Sequence, residues 1–450
     1  MASGSRPGIR WPRGPPAAAS AASGVPAAPG RPTAAGLTSS TVRGSSMRKA
    51  ARNPVSDLRG ASRLAIDAIA GITGLVEAMH NNIARKPAKL GGPIVSGAVN
   101  GTAAVVYKSI RGVTRAVGSG LDRALGALAP EVGELEPAPA REAVVAALNG
   151  VLGDHLAESH NPLAIAMRFR SAGKPLAIDR AALAAAIPDA GTKVALLVHG
   201  LCMNDLMWER DSHDHGAALA RDLGYTPVYL HYNTGLHVST NGRAFADEIE
   251  TLVAAWPKPL DQLAIVAHSM GGLVSRSAHS YSTEAGHEWP RRLRKLVFLG
   301  TPHQGAPLER GGHWLDLLLE RTPYTAPFTR LGKIRSAGIT DLRHGSVRDE
   351  DWEGHDRFAK RGDPRRPVPL PAGVECYAIA ATTSDSHAPM RDRLVGDGLV
   401  PVPSALGRHD DPRFALAFPE SRQWITYDTG HLDLLSRTDV YARIRDWLAE

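Results

Sequence analysis

The sequence predicts an α/β fold: a mostly parallel central sheet with helices on both faces. Three observations carry the prediction. Continuous apolar runs at residues 194–198, 263–267 and 296–299 have the composition of strands buried on both faces. Helix-compatible stretches at 242–256 and 273–281 alternate with them. Each run ends in a turn that carries a polar or small residue, namely His199-Gly200, Ser269 and Gly300-Thr301. Open parallel sheets place their sites at such strand ends.

The other elements follow in order. A helix is expected at 141–156, and a hairpin over 164–170 and 175–178 with its turn at 171–174. A strand at 227–232 precedes the helix at 242–256, which Pro257 closes. Strands at 375–380 and 423–427 resume the pattern after a long interruption, and an amphipathic helix over about 439–449 ends the chain. The interruption, residues 303–372, contains the apolar run 314–319 and a charged, Pro-rich stretch at 361–371. An insertion at that point hangs over the strand ends as a cap or lid, or is an ordinary helical excursion.

Composition divides the 450 residues. Residues 1–130 hold 17 Lys and Arg against 4 Asp and Glu, so the net charge of +7 belongs to the N-terminal part and the remainder is acidic. The basic balance therefore says nothing about the region around Ser269, and no nucleic-acid partner is inferred. Residues 1–55 are rich in Ala, Pro, Gly, Ser and Arg without periodicity, too poor in apolar surface to offset the entropy of ordering, and are expected to be disordered. Met47, near the end of that segment, is an alternative start to Met1. Residues 56–130 carry two apolar stripes at helical spacing with basic residues between them. Such an extension packs on the main domain or on a second copy, or lies on an anionic membrane surface as a peripheral contact. An acidic linker at 131–140 leads into a domain at 141–450. Two cysteines, no secretory h-region and no apolar run of about 18 residues favour a cytoplasmic protein.

The chemistry-bearing residues sit at the strand ends. In Ala267-His268-Ser269-Met270-Gly271-Gly272 a serine occupies the apex of a strand-to-helix turn, flanked at two residues on either side by small residues that let strand and helix approach. Asp397, between Gly396 and Gly398, and His431, after Gly430, follow in the order nucleophile, acid, base. His431 is the candidate base for Ser269, and Asp397 the group that holds its tautomer; Asp385 and Asp392 are rival acids, and His387 a rival base. Backbone N–H groups of Leu201 and Met270 are the candidate oxyanion donors, with Cys202 as alternative to Leu201. His199, Gly200 and His268 line the same turns and are candidate substrate contacts. Cys202 is paired with no base in the sequence and is read as a packing residue. No metal-ligand cluster stands out, and no cofactor is implied.

These motifs, together with Gly300-Thr301-Pro302-His303-Gln304-Gly305 and Gly396-Asp397-Gly398-Leu399-Val400-Pro401, resemble the α/β-hydrolase superfamily. Within it they are similar to lipase-like esterases related to the GPI inositol-deacylase group. The resemblance covers about residues 140–450. It implies hydrolysis of a small-molecule carboxylic acyl ester, lipid-like given the Leu-rich insertion, through an acyl-serine intermediate. Acyl transfer or thioester hydrolysis on the same triad, or a membrane-tethered scaffold with a vestigial domain, are the alternatives.

Overall fold

A computed structural model of the chain describes residues 62–63, 139–306, 335–356, 362–386 and 396–450. The chain divides into two units, Met1–Lys49 and Ala50–Glu450, and all the described residues belong to the second. The expected disordered segment and, apart from residues 62–63, the helical extension lie outside the described residues. So do most of the linker, the run 314–319, His387 and Asp392.

Eight strands form one sheet: β1 (Arg168–Ser171), β2 (Lys174–Pro175), β3 (Lys193–Val198), β4 (Thr226–His231), β5 (Gln262–His268), β6 (Leu293–Leu299), β7 (Glu375–Ala381) and β8 (Gln423–Thr426). Their order is β2-β1-β4-β3-β5-β6-β7-β8. Strands β3 to β8 are parallel, whereas β1 runs antiparallel to β4 and β2 antiparallel to β1. The hairpin is thus present but short.

The apolar runs are continuous because helices cover both faces of the sheet. Val194, Leu196, Val198, Leu263, Ile265, Ala267, Leu296 and Phe298 point to one side. They pack there with α1 (Pro139–Glu158), α4 (Val238–Ala255) and α5 (Met270–Ala285). Ala195, Leu197, Ala264, Val266, Val297 and Leu299 point to the other side, against α3 (His215–Leu223) and α8 (Thr438–Ala449). Alternate residues along each strand thus feed two separate cores, the pattern that an amphipathic strand could not fill.

Helix α3 is one that periodicity did not single out. Its ends carry local signals: the Asp214 side chain accepts the Ala217 N–H at 2.7 Å, and Gly224 turns the chain off with φ 69°. Three short helices, α2 (Arg180–Ala186), α6 (Ala337–Asp341) and α7 (Val402–Ala405), were also not foreseen. Within the insertion, Gly338 N–H donates to Gly235 C=O at 3.1 Å and Ser336 Oγ to Gly150 C=O at 2.6 Å. That part of the insertion therefore packs on the loop after β4 and on α1.

Candidate active site

Strand β5 leads straight into the serine. His268 is in register with Leu299 of β6, and Ser269 N–H donates to Leu299 C=O at 2.8 Å, so the serine is held as a continuation of the strand. At the next residue helix α5 starts. The change of direction is absorbed at Ser269 itself, at φ 55° and ψ −126°. A non-glycine residue held there stores roughly 1–3 kcal/mol of backbone strain and persists only when its surroundings impose it.

The surroundings are two glycines that let α5 start between the ends of its neighbours. A Cβ on Gly271 would lie 2.4 Å from Val198 C=O and 2.7 Å from His199 C=O. One on Gly272 would lie 2.0 Å from Thr301 Oγ1 and 2.6 Å from its methyl group. Gly271→Ala is therefore expected to force the helix start away from β3. It should destabilise the domain by about 1–3 kcal/mol, read as a lower urea midpoint. A midpoint equal to that of the wild type would contradict this packing.

Asp397 and His431 come together from the loops after β7 and β8. His431 Nδ1–H donates to Asp397 Oδ2 at 2.7 Å, and His431 N–H donates to Asp397 C=O at 3.1 Å. The second carboxylate oxygen accepts Leu399 N–H at 3.0 Å and Val400 N–H at 2.8 Å. Gly396 and Gly398 make this turn at φ 102° and 96°, a conformation that side chains rarely adopt. Both partners are buried. Because the carboxylate can only accept, the imidazole carries its proton on Nδ1, leaving Nε2 as a base. Asp385, the rival acid within the described residues, is exposed.

Gly300, at the end of β6, brings this pair to the elbow. A Cβ there would lie 3.2 Å from Asp397 Oδ2 and 3.2 Å from His431 Cε1. On the opposite side, Gly200 lies against Ser269, since its Cβ would be 2.9 Å from Ser269 Cβ.

The loop after β3 is shaped by Cys202, at φ 59°. Its N–H donates to Thr234 Oγ1 at 3.1 Å, which occupies the alternative oxyanion donor. Met270 N–H opens α5 and so has no acceptor within the helix. The Cys202 thiol packs against α1, with its sulfur 2.2 Å from where a Gly150 Cβ would sit. Burial pushes it up to about 12, so it is a packing group at neutral pH. Thr234 was not singled out in the sequence, because no spacing rule links a residue after β4 to a turn 32 residues earlier.

His199 and His268 are fully buried. His199 stacks on Tyr232 with ring centroids 4.5 Å apart, and its Nδ1–H donates to Gly200 C=O at 3.0 Å. A hydrogen bond of 2.9 Å from His215 Nε2–H ends on Leu434 C=O, close behind Gly300. Burial lowers His199 to about 3 and His215 to about 4, and holds His268 and His303 well below 6.5. All four are neutral when folded, whereas the unfolded chain takes a proton on each near pH 6.5. Their contribution is therefore complete above that pH and is lost as pH falls toward the folded values. Each costs about 1.4 kcal/mol per pH unit below about 6.5. Urea unfolding at about pH 5.5 should accordingly show a domain several kcal/mol less stable than at neutral pH, and equal stability would contradict these burials.

Among the described residues no group of three His, Cys, Asp or Glu side chains is placed to hold a metal. No described helix is long and apolar enough to cross a membrane.

Comparison with solved structures gives the lipase BlEst2 of Bacillus licheniformis in mature form at 15% identity and a TM-score of 0.37, covering 57% of this chain and 91% of that one. Aspergillus fumigatus lipase B is matched at 13% identity and 0.36, over 62% of this chain and 60% of its own. The Pyrococcus furiosus esterase Pf2001 is matched at 10% identity and 0.33, over 58% and 84%. No curated protein matches the sequence. Residues 207–366 match the model of the PGAP1-like alpha/beta domain family. That match lies within an α/β domain whose mostly parallel sheet carries the serine turn between β5 and α5.

Proposed function

We propose that the protein is a serine carboxylic ester hydrolase with Ser269, His431 and Asp397 as its triad. The observation that supports this most is the buried Asp397–His431 hydrogen bond, assembled beside a serine on a strained turn. A serine hydroxyl near neutral pH attacks an ester only when a base removes its proton. His431 Nε2 takes that proton as Ser269 Oγ bonds to the carbonyl carbon. Asp397 stabilises the imidazolium without itself being protonated. Leu201 and Met270 N–H groups receive the developing oxyanion, aided by the positive end of α5. The imidazolium then protonates the leaving alkoxide, and water repeats the sequence on the acyl-serine with His431 again as base. No cofactor enters these steps. Gly200 admits the substrate to the turn, while buried His199 and His268 support it from behind.

A lipid-like acyl ester is the substrate class we favour, from the Leu-rich insertion at 314–319 and from the acyl chemistry of the fold. The full chain incubated with p-nitrophenyl esters of increasing acyl length should release p-nitrophenol and the free acid. Release of the acid only when an alcohol or thiol acceptor is absent would make the protein an acyltransferase. No turnover at any length would favour the scaffold reading. Sedimentation with anionic lipid vesicles, using the full chain and a chain starting at residue 131, checks the membrane contact proposed for residues 56–130. Equal partition would remove that contact.

A further inference from the structure

His268 lies beside all three parts of the proposed machinery. It belongs to β5 and immediately precedes the nucleophile. Its Nε2–H donates to the backbone carbonyl of His431 at 3.1 Å, and the two rings lie 4.7 Å apart at 47°. Its other nitrogen faces the loop after β3, 3.1 Å from where a Gly200 Cβ would sit, a point itself 2.9 Å from Ser269 Cβ. The ring is fully buried.

The tautomer follows from these contacts. A carbonyl only accepts, so the proton is on Nε2; burial keeps the ring neutral, so Nδ1 is a bare lone pair that no side chain or backbone group of the described residues engages. A fully buried ring cannot contact substrate.

From this juxtaposition we infer that His268 is a positioning residue: a strut that fixes the His431 loop relative to the nucleophile turn and to Gly200 of the oxyanion loop. The inference rests on the function proposed above. The Asp397 side chain sets the tautomer of His431 and one point of its ring, and the Asp397 carbonyl accepts the His431 N–H. His268 adds the hold on the His431 carbonyl, from the nucleophile strand. The strut explains why a histidine, and not another buried apolar residue, stands before the serine. Leucine would fill the volume and leave the His431 carbonyl without this donor. A loop free to shift by about 1 Å would cost proton transfer about 100-fold.

The test compares two amides of different reach in the full chain. In His268→Gln the amide nitrogen is as many bonds from the backbone as Nε2 and can donate to the same carbonyl. In His268→Asn it falls short. Both variants have the same chemistry and similar burial cost, so a loss confined to one of them is not a general loss of folding. The expected result is kcat for a p-nitrophenyl ester reduced about 10- to 100-fold in H268N with KM within about twofold, and restored to within about fivefold of wild type in H268Q. With histidine-selective 15N labelling, the downfield His431 Nδ1–H resonance should persist in H268Q and be lost to solvent exchange in H268N. Equal kcat in both variants, or a change in KM alone, would overturn the strut. If the wild type shows no turnover and no labelling of Ser269 by a fluorophosphonate, the reading of function fails. The resonance comparison then still decides whether His268 holds the His431 loop: its persistence in both variants overturns the inference.

Discussion

Replacing Ser269 with alanine is expected to reduce p-nitrophenyl ester turnover by about 10⁴-fold or more while leaving the melting temperature near that of the wild type. The large effect follows from the division of labour: the base and its orienting carboxylate act on the Ser269 oxygen, the oxyanion donors act on the substrate carbonyl oxygen, and none of them supplies the attacking atom. The small structural effect follows from the position. Ser269 is held by its backbone, through Leu299 C=O, at φ 55°. Its hydroxyl adds nothing to that hold. Glycine makes the point more sharply, because it adopts that conformation without strain. Ser269→Gly should be equally inactive yet more stable by about 1 kcal/mol, the signature of a turn strained for chemistry. Activity near wild type in either variant would remove Ser269 from the mechanism.

Asp397→Asn is expected to cost a comparable amount, about 10⁴-fold in kcat, for a reason that the hydrogen bonds make specific. Oδ1 is pinned by the N–H groups of Leu399 and Val400, which only donate. An asparagine at 397 must place its oxygen there and turn its NH₂ toward His431. The imidazole then accepts at Nδ1 and carries its proton on Nε2, where it cannot take one from Ser269. The variant should fold, because both backbone hydrogen bonds survive. Asp385→Asn, on the exposed loop after β7, should stay within about twofold of wild type as a surface change. Activity within tenfold of wild type in D397N, or a large loss in D385N, would reassign the acid.

The sheet was legible because its strands are buried on both faces, which leaves unbroken runs such as Val194 to Val198 in the sequence. The serine turn was legible because Gly271 and Gly272 are demanded by the close approach of α5 to the ends of β3 and β6. Helix α3 escaped notice because its nine residues bury only His215, Gly216, Ala218 and Leu219, too few large apolar side chains to set a period. The supports of the loop after β3 escaped for a different reason. Thr234 reaches Cys202, and α1 reaches it through Gly150, over separations of 32 and 52 residues that no local pattern encodes. The ion pairs joining Arg170 to Glu142 and Asp205 are likewise invisible in sequence, since three charged residues on different elements look like surface until the fold buries them.

The proposed mechanism turns on one property, a Ser269 hydroxyl activated by His431. Incubating the full chain with a fluorophosphonate probe and sequencing the modified peptide by mass spectrometry reads that property without a substrate having to be known. A phosphonyl adduct on Ser269, fast in the wild type and slowed at least about 100-fold in D397N, is the predicted result. Folded protein that takes no adduct at Ser269, or that is labelled equally well when Asp397 is replaced, would contradict it.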